Sequence, residues 1–175
     1  MDNFHRLGAR LAAVFHRPEL FLEEDGQKLK ASRIYTRRRG TALVESDLGI
    51  LLVSEDGVRF SLPGGAANKS ELDIQAAIRE LHEETGLCAY SAKYLFSHLG
   101  DVRKRGAQYN RNHHQVFLIE AEGVPTPRQE IKVIQFYRPG DEIKISDSTQ
   151  KILQKYRDYR ALQVNGRGEW AGGTG

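Results

Sequence analysis

An acidic helix within residues 65–87 constrains this chain more than any other stretch. The sequence places Gly65 and Glu71 ahead of the run Arg79-Glu80-Leu81-His82-Glu83-Glu84-Thr85-Gly86-Leu87. Ile74, Ala77, Ile78 and Leu81 recur at i, i+3, i+4 and i+7, which predicts a helix with one buried face. Ser70 and Asp73 have capping-box spacing at its start, and Gly86 stands where a left-handed C-cap closes a helix. At about 100° per residue, Glu80 and Glu84 lie about 40° apart, and Glu83 lies about 60° from Glu80. All three carboxylates therefore share one stripe at the rim of the core, where like charges repel. Hard oxygen ligands in this number favour Mg²⁺ or Mn²⁺, with positions left for water and phosphate. Arg79 precedes Glu83 by one turn and can pair with it, and Glu71 can return to the same neighbourhood through the loop. Gly64 and Gly65 lack side chains, so their backbone groups can approach a metal or a phosphate.

Composition narrows the class. The 175 residues, 39% hydrophobic and 28% charged, suit a single folded domain and not a disordered chain. No run approaches the roughly 18 apolar residues of a membrane span. The single cysteine, Cys88, excludes an intrachain disulfide framework and lends secretion no support. Within Leu87-Cys88-Ala89-Tyr90 it reads as a small buried hydrophobe. A net charge of +3 is too mild for a nucleic-acid binder. The basic residues cluster, however, at Arg37-Arg38-Arg39 and at Arg103-Lys104-Arg105, with Arg111 nearby. Facing a metal-loaded acidic site, they would suit a phosphorylated small-molecule substrate.

Along the chain, residues 1–31 read as a helix, with Leu7, Leu11 and Val14 at helical spacing, followed by a polar, acidic connector. The segment lacks serine and is followed by acids, so a peripheral or dimer-forming helix is expected over a targeting peptide. Residues 41–45 and 49–54 read as a hairpin, and 59–62 as a strand ended by Pro63-Gly64-Gly65. Further strands are expected at 90–99, 115–121 and 132–137, and a second helix at 147–162. Strands and helices in this order predict an α+β fold, an α/β/α sandwich with a mixed sheet between helices. The expected organisation is a helical extension over 1–31, a domain over 32–163 and a flexible Gly-rich tail over 164–175, where Trp170 is expected to pack loosely. A cytoplasmic homodimer without membrane or nucleic-acid partners completes the expectation.

The acidic segment resembles the Nudix box at every defined position: Gly65, five residues, Glu71, seven residues, Arg79-Glu80, then Glu83-Glu84 and Gly86, with Leu81 and Leu87 in the aliphatic slots. The preceding Leu62-Pro63-Gly64-Gly65 and the strand–helix order resemble the Nudix domain from about residue 37 to 162. The resemblance implies Mg²⁺-dependent hydrolysis of a diphosphate, usually a nucleoside diphosphate joined to another group. It implies Glu80, Glu83 and Glu84 as metal ligands, with the Gly64 carbonyl a further ligand and Glu80 alternatively the base. Arg79 would orient a box carboxylate, and Glu71 would hold the loop. An extra ligand from outside the box is sought at Glu130, then at Glu120 and Glu122.

The box says little about the leaving group. Strand alternation should send Arg37 and Arg39 to one face, where with Arg103 and Arg105 they would bind phosphate. Arg38-Arg39-Gly40-Thr41-Ala42 is similar to the start of Nudix enzymes acting on diphosphoinositol and dinucleoside polyphosphates. Ala66 departs from the third glycine often present in those enzymes. Nucleoside triphosphates fit equally, and Tyr35, Tyr109, His113 and Phe136 are candidate base contacts. A transition-metal site at His98, His113 and His114 has no cysteine at ligand spacing to support it. A Nudix-fold nucleotide or RNA binder without catalysis is the competing class, although such a protein is expected to lose box carboxylates.

Overall fold

The apolar runs at 42–44 and 51–53 are buried on both faces, so each must be covered twice. The computed structural model, which describes residues 21–24, 27–30 and 34–168, does this with β-sheet between two helices. In chain order come β1 (Phe21–Glu24), β2 (Gln27–Lys30), β3 (Ile34–Leu43), β4 (Glu45–Ser46), β5 (Gly49–Ser54) and β6 (Gly64–Ala66). Helix α1 (Asp73–Thr85) follows, then β7 (Cys88–Leu99), β8 (Arg103–Arg105), β9 (Gln108–Glu122), β10 (Val133–Tyr137) and helix α2 (Asp147–Gly168). The main sheet has the order β6-β3-β9-β7, with β8 also pairing β9. Its centre is the parallel pair β3–β9, in register from Ile34↔Tyr109 to Leu43↔Leu118. The second sheet, β10-β5-β4, is antiparallel.

Strand alternation divides the core between the helices. Ala42, Leu51, Phe117 and Ile119 pack with Ala77 and Leu81 of α1. Their neighbours Leu43, Leu52 and Val116 turn the other way, onto Ile152, Leu153 and Tyr156 of α2. The expected mixed-sheet α/β/α sandwich is thus the observed fold.

Several local readings change. The 41–45 segment is not half of a hairpin, because β3 belongs to the main sheet and only the two-residue β4 turns back on β5. Residues 59–62 form isolated bridges, Val53↔Ser61 and Phe60↔Ile145, and the strand proper is β6, pairing Gly64 with Thr41 and Ala66 with Arg39. The cap of α1 is Leu72 rather than Ser70: the Leu72 N–H donates to Gln75 Oε1 at 2.9 Å, while the Ala76 N–H returns to the Leu72 carbonyl. Gly86 closes the helix in the left-handed conformation at φ 74°, as its position predicts. Cys88 is exposed, not buried, because Leu87 takes the inward position. In the expected connector, β1 and β2 pair antiparallel, with Glu23 opposite Lys28. Asp25-Gly26 between them is a hairpin-turn signal in the sequence. The helix expected at the N-terminus, and Trp170, lie outside the described residues.

One close approach positions α1. A Cβ built on Gly40 would lie 2.1 Å from the Asp73 carbonyl oxygen and 2.4 Å from the Ala77 nitrogen. The fully buried Ala76 and Ala77 complete a contact made of backbone and methyl groups. Gly40→Ala is therefore expected to lift α1 from β3 and destabilise the fold by about 2–3 kcal/mol, as overpacking does. Urea unfolding of the variant measures this; a loss near zero would show that the helix is not so tightly seated.

Candidate functional site

The site grows from the Arg79 guanidinium, whose five N–H groups all have acceptors. Nε and Nη2 grip Glu71 Oε1 and Oε2 at 2.8 and 3.0 Å, and Nη2 also donates to the Ala66 carbonyl at 3.1 Å. Nη1 reaches Glu80 Oε1 at 2.8 Å and Glu83 Oε2 at 3.0 Å. These bonds hold the Glu71 carboxyl at about 2, chiefly through Arg79 and then through the Asn68 N–H, and raise Arg79 well above its usual range. Loop 66–71 is thereby tied to the middle of α1.

The three helix glutamates are graded by depth. Glu83 is the outermost, its side chain 35% exposed and turned to Arg79; Glu80 is at 17%. Glu84 is buried at 6% exposure, and its Oε2 accepts the Gly64 N–H at 3.1 Å. Desolvation, with Glu80 and Glu130 adding to it, pushes the Glu84 carboxyl up to about 8 against the opposing pull of the Gly64 N–H and Arg39. Gly65 has a different neighbour: a Cβ there would fall 1.9 Å from Glu80 Oε1. The bare Gly64-Gly65 backbone thus seats one carboxylate on each glycine. Gly64 itself, at φ 151°, could not carry a side chain past the Gly40 carbonyl, 2.4 Å from its Cβ position. The Gly64 carbonyl accepts a hydrogen bond from Arg39 Nη2.

This donor set is entirely oxygen, and the buried Glu84 charge is opposed by its surroundings, so a hard divalent cation fits it. Among the described residues no three His, Cys, Asp or Glu groups close into a cage. An open site is what a cation shared with water and phosphate requires. Glu130 lies on a loop pinned to the end of α1 by the Thr126 N–H to Thr85 and the Arg128 N–H to Glu84 carbonyl bonds, and its charge acts on Glu84. Glu120 and Glu122 are exposed and pair opposite Ser91 and Cys88, toward the far end of β9.

Glu84 and Gly64 also line a cavity of about 890 Å³. Arg37, Arg39, Arg103, Arg105 and Arg111 line the same cavity. Arg38 points away and pairs with Asp73 at 2.9 Å, as alternation along β3 dictates. Tyr35 lines the cavity. Phe136 packs in the core beside α1, Tyr109 lies under Lys104 Nζ, and His113 meets Gln115.

Sequence reasoning named His98 and His114 only as transition-metal candidates and did not place them beside Arg39; Arg39 and His114 line the cavity. Arg39, His114 and His98 are register partners across β3, β9 and β7. His114 is 8% exposed, its Nδ1 2.9 Å from Thr41 Oγ1, and its ring centroid lies 5.9 Å from that of His98. Burial, then the charge of Arg39, then His98 and His113, lower His114 to about 4. The signal was the alternation Asn110, Asn112, His114, hidden because that half of β9 is polar.

The family model of the NUDIX domain matches residues 35–156. The chain is similar to the crystal structure of a nudix hydrolase family member from Chromobacterium violaceum, with 34% identity over 75% of this chain and 91% of that one and a TM-score of 0.58. The ORF135 protein of E. coli shares the fold at 21% identity, covering 77% and 97% of the two chains with a TM-score of 0.60. A MutT NUDIX hydrolase from Burkholderia pseudomallei shares it at 22% identity, covering 68% and 96%, with a TM-score of 0.53. No curated protein matches the chain.

The His114 environment sets the sign of a pH effect. Above pH 6.5 the imidazole is neutral in both folded and unfolded chains and has no effect on stability. Between 6.5 and about 4 the unfolded chain takes up the proton first, so stability falls with pH, by at most about 3 kcal/mol for the whole shift. Unfolding free energies measured over this range should fall less steeply in His114→Gln; parallel slopes would contradict the assignment.

Proposed function

Because this chain belongs to the Nudix hydrolases, which act on phosphorus-containing acid anhydrides, we propose that it cleaves a diphosphate linkage in a nucleoside di- or triphosphate derivative, with Mg²⁺ held by Glu80, Glu83 and Glu84. The observation that carries this reading is the seating of Glu84 on Gly64 and Glu80 on Gly65 at a cavity that also presents arginines. A divalent cation bound there supplies charge neutralisation and orientation for in-line displacement at phosphorus.

The chain's own residues do the rest. Arg79 holds Glu80 and Glu83 by one oxygen each, leaving the other oxygen of each clear of its guanidinium. The proton of the attacking water passes to a carboxylate of this set as the water oxygen bonds to phosphorus and the bridging P–O bond breaks, a contribution of about 10²–10⁴-fold; Glu80 is the alternative base where its free oxygen is not given to the cation. Arg39, fixed through the Gly64 carbonyl, faces the phosphoryl oxygens with Arg37. Glu130 is the extra carboxylate, carried on the loop tied to the end of α1. Glu71 acts only through Arg79, by holding the loop that carries Gly65.

On this reading the catalytic domain spans 32–163, with 1–31 as an extension, in a cytoplasmic homodimer; the expected tail over 164–175 starts inside α2, which runs past the expected end at 162 to Gly168. No helix among the described residues is long and apolar enough to cross a membrane.

The test is phosphate release from a panel of nucleoside diphosphate derivatives with Mg²⁺. Glu84→Gln keeps the acceptor for the Gly64 N–H and replaces a carboxyl that burial already pushes toward its neutral form, so the fold should keep its melting temperature. Turnover should fall by about 10²-fold or more, the scale of losing a charge-stabilising group. Near-normal turnover in Glu84→Gln would overturn the site.

A further inference from the structure

We infer, building on the proposed diphosphate hydrolysis, that the preferred substrate carries a second anionic region, at least two phosphoryl groups beyond the scissile diphosphate, bound by the β8–β9 hairpin. The hairpin continues β9 past the core and brings Arg103, Lys104 and Arg105 to the cavity that Glu84 and Gly64 line.

The register spaces its cations. Arg39 lies level with His114; Arg37 is two residues further along β3, about 7 Å at strand rise. Arg103 pairs with Asn110, four residues from His114, or about 13 Å, and Arg105 pairs with Gln108, about 20 Å away. Positive charge therefore extends well beyond the reach of one diphosphate at Glu84.

These cations are only weakly engaged elsewhere, Lys104 over the Tyr109 ring at 5.8 Å from its centroid. Among the described residues Arg37, Lys104 and Arg105 have no carboxylate partner, and Arg103 makes one exposed contact with Asp147, at 3.5 Å. Besides Glu84 the cavity wall carries Glu55, Asp56 and Asp101, and two of these three are committed. Asp101 pairs with Lys151 at 2.7 Å, and Asp56 accepts the Ser54 hydroxyl and the Val58 and Arg59 N–H groups of its own loop. Aromatic faces that could hold a base are scarce: Tyr35 is the one Phe, Tyr or Trp in the lining, and it is 66% exposed. Recognition at this end is by charge. A linear phosphate chain and phosphates set on a polyol ring share that chemistry.

The experiment compares the wild type with the double variant Arg103→Ser, Arg105→Ser on exposed positions. Substrates are ADP-ribose, diadenosine pentaphosphate and diphosphoinositol pentakisphosphate. For one or both polyphosphates kcat/KM should fall about 10–100-fold, mainly through KM, and at least about tenfold more than for ADP-ribose, as expected for lost charge-assisted contacts. Equal loss on all three substrates would overturn the inference and leave the proposed function standing.

A second readout needs no turnover: calorimetric binding of inorganic tripolyphosphate and of inositol hexakisphosphate to wild type, double variant and Glu84→Gln. Weakening of either anion in the double variant supports the inference even if no panel compound is hydrolysed, in which case it is the proposed function that fails. The anion that weakens more identifies chain or ring. Unchanged binding of both anions overturns the inference.

Discussion

The guanidinium of Arg79 uses every N–H it has to hold together Glu71, Glu80, Glu83 and the Ala66 carbonyl, and the site depends on that one group. Without it, carboxylates on neighbouring turns would splay toward water, and loop 66–71 would lose its tie to α1. A lysine could not replace it, because a single ammonium cannot address four partners in one plane. The bonds leave Glu84 out. That carboxylate lies deeper, on the Gly64 N–H, where burial opposes its charge. The arrangement therefore has three carboxylates sharing one guanidinium charge and a fourth, Glu84, whose hydrogen-bond partner is a backbone N–H.

Backbone contact rather than side-chain packing sets these positions. Gly40 lets α1 rest on β3, Gly64 passes the Gly40 carbonyl, and Gly65 makes room for Glu80. Three glycines in two adjacent strands bring the acidic helix against β6. The long parallel pair β3–β9 then runs from the core, where it is apolar, out to the hairpin, where it is polar and basic. The apolar core and the polar cavity wall are successive stretches of the same two strands.

That gradient explains what could be read from the sequence. Helix α1 was legible because its period is strong and its glutamates are spaced around a buried face, and Gly86 marked its end. The sandwich followed from the order of strand-rich and helical stretches along the chain. The outer half of β9 was not legible: Gln108, Asn110, Asn112 and His114 face a polar cavity, so no apolar alternation marks a strand there. Its partnership with Arg39 and Thr41 is parallel and distant in sequence, which no local pattern reveals. Ser70 misled as a cap because Glu71 engages Asn68 and Arg79 and shifts the helix start to Leu72. Cys88 misled because the apolar run Leu87-Cys88-Ala89 straddles a helix end and a strand start, where facing changes within one residue.

The central claim is that Glu80 and Glu84, seated on the Gly64-Gly65 backbone, hold a divalent cation. Anomalous scattering from crystals soaked in Mn²⁺ locates such an ion without reference to turnover. The account predicts a peak within bonding distance of the Glu84 carboxylate and beside that of Glu80. Strong peaks elsewhere, at the histidine pair or on surface acids, with none at Glu84, would contradict it.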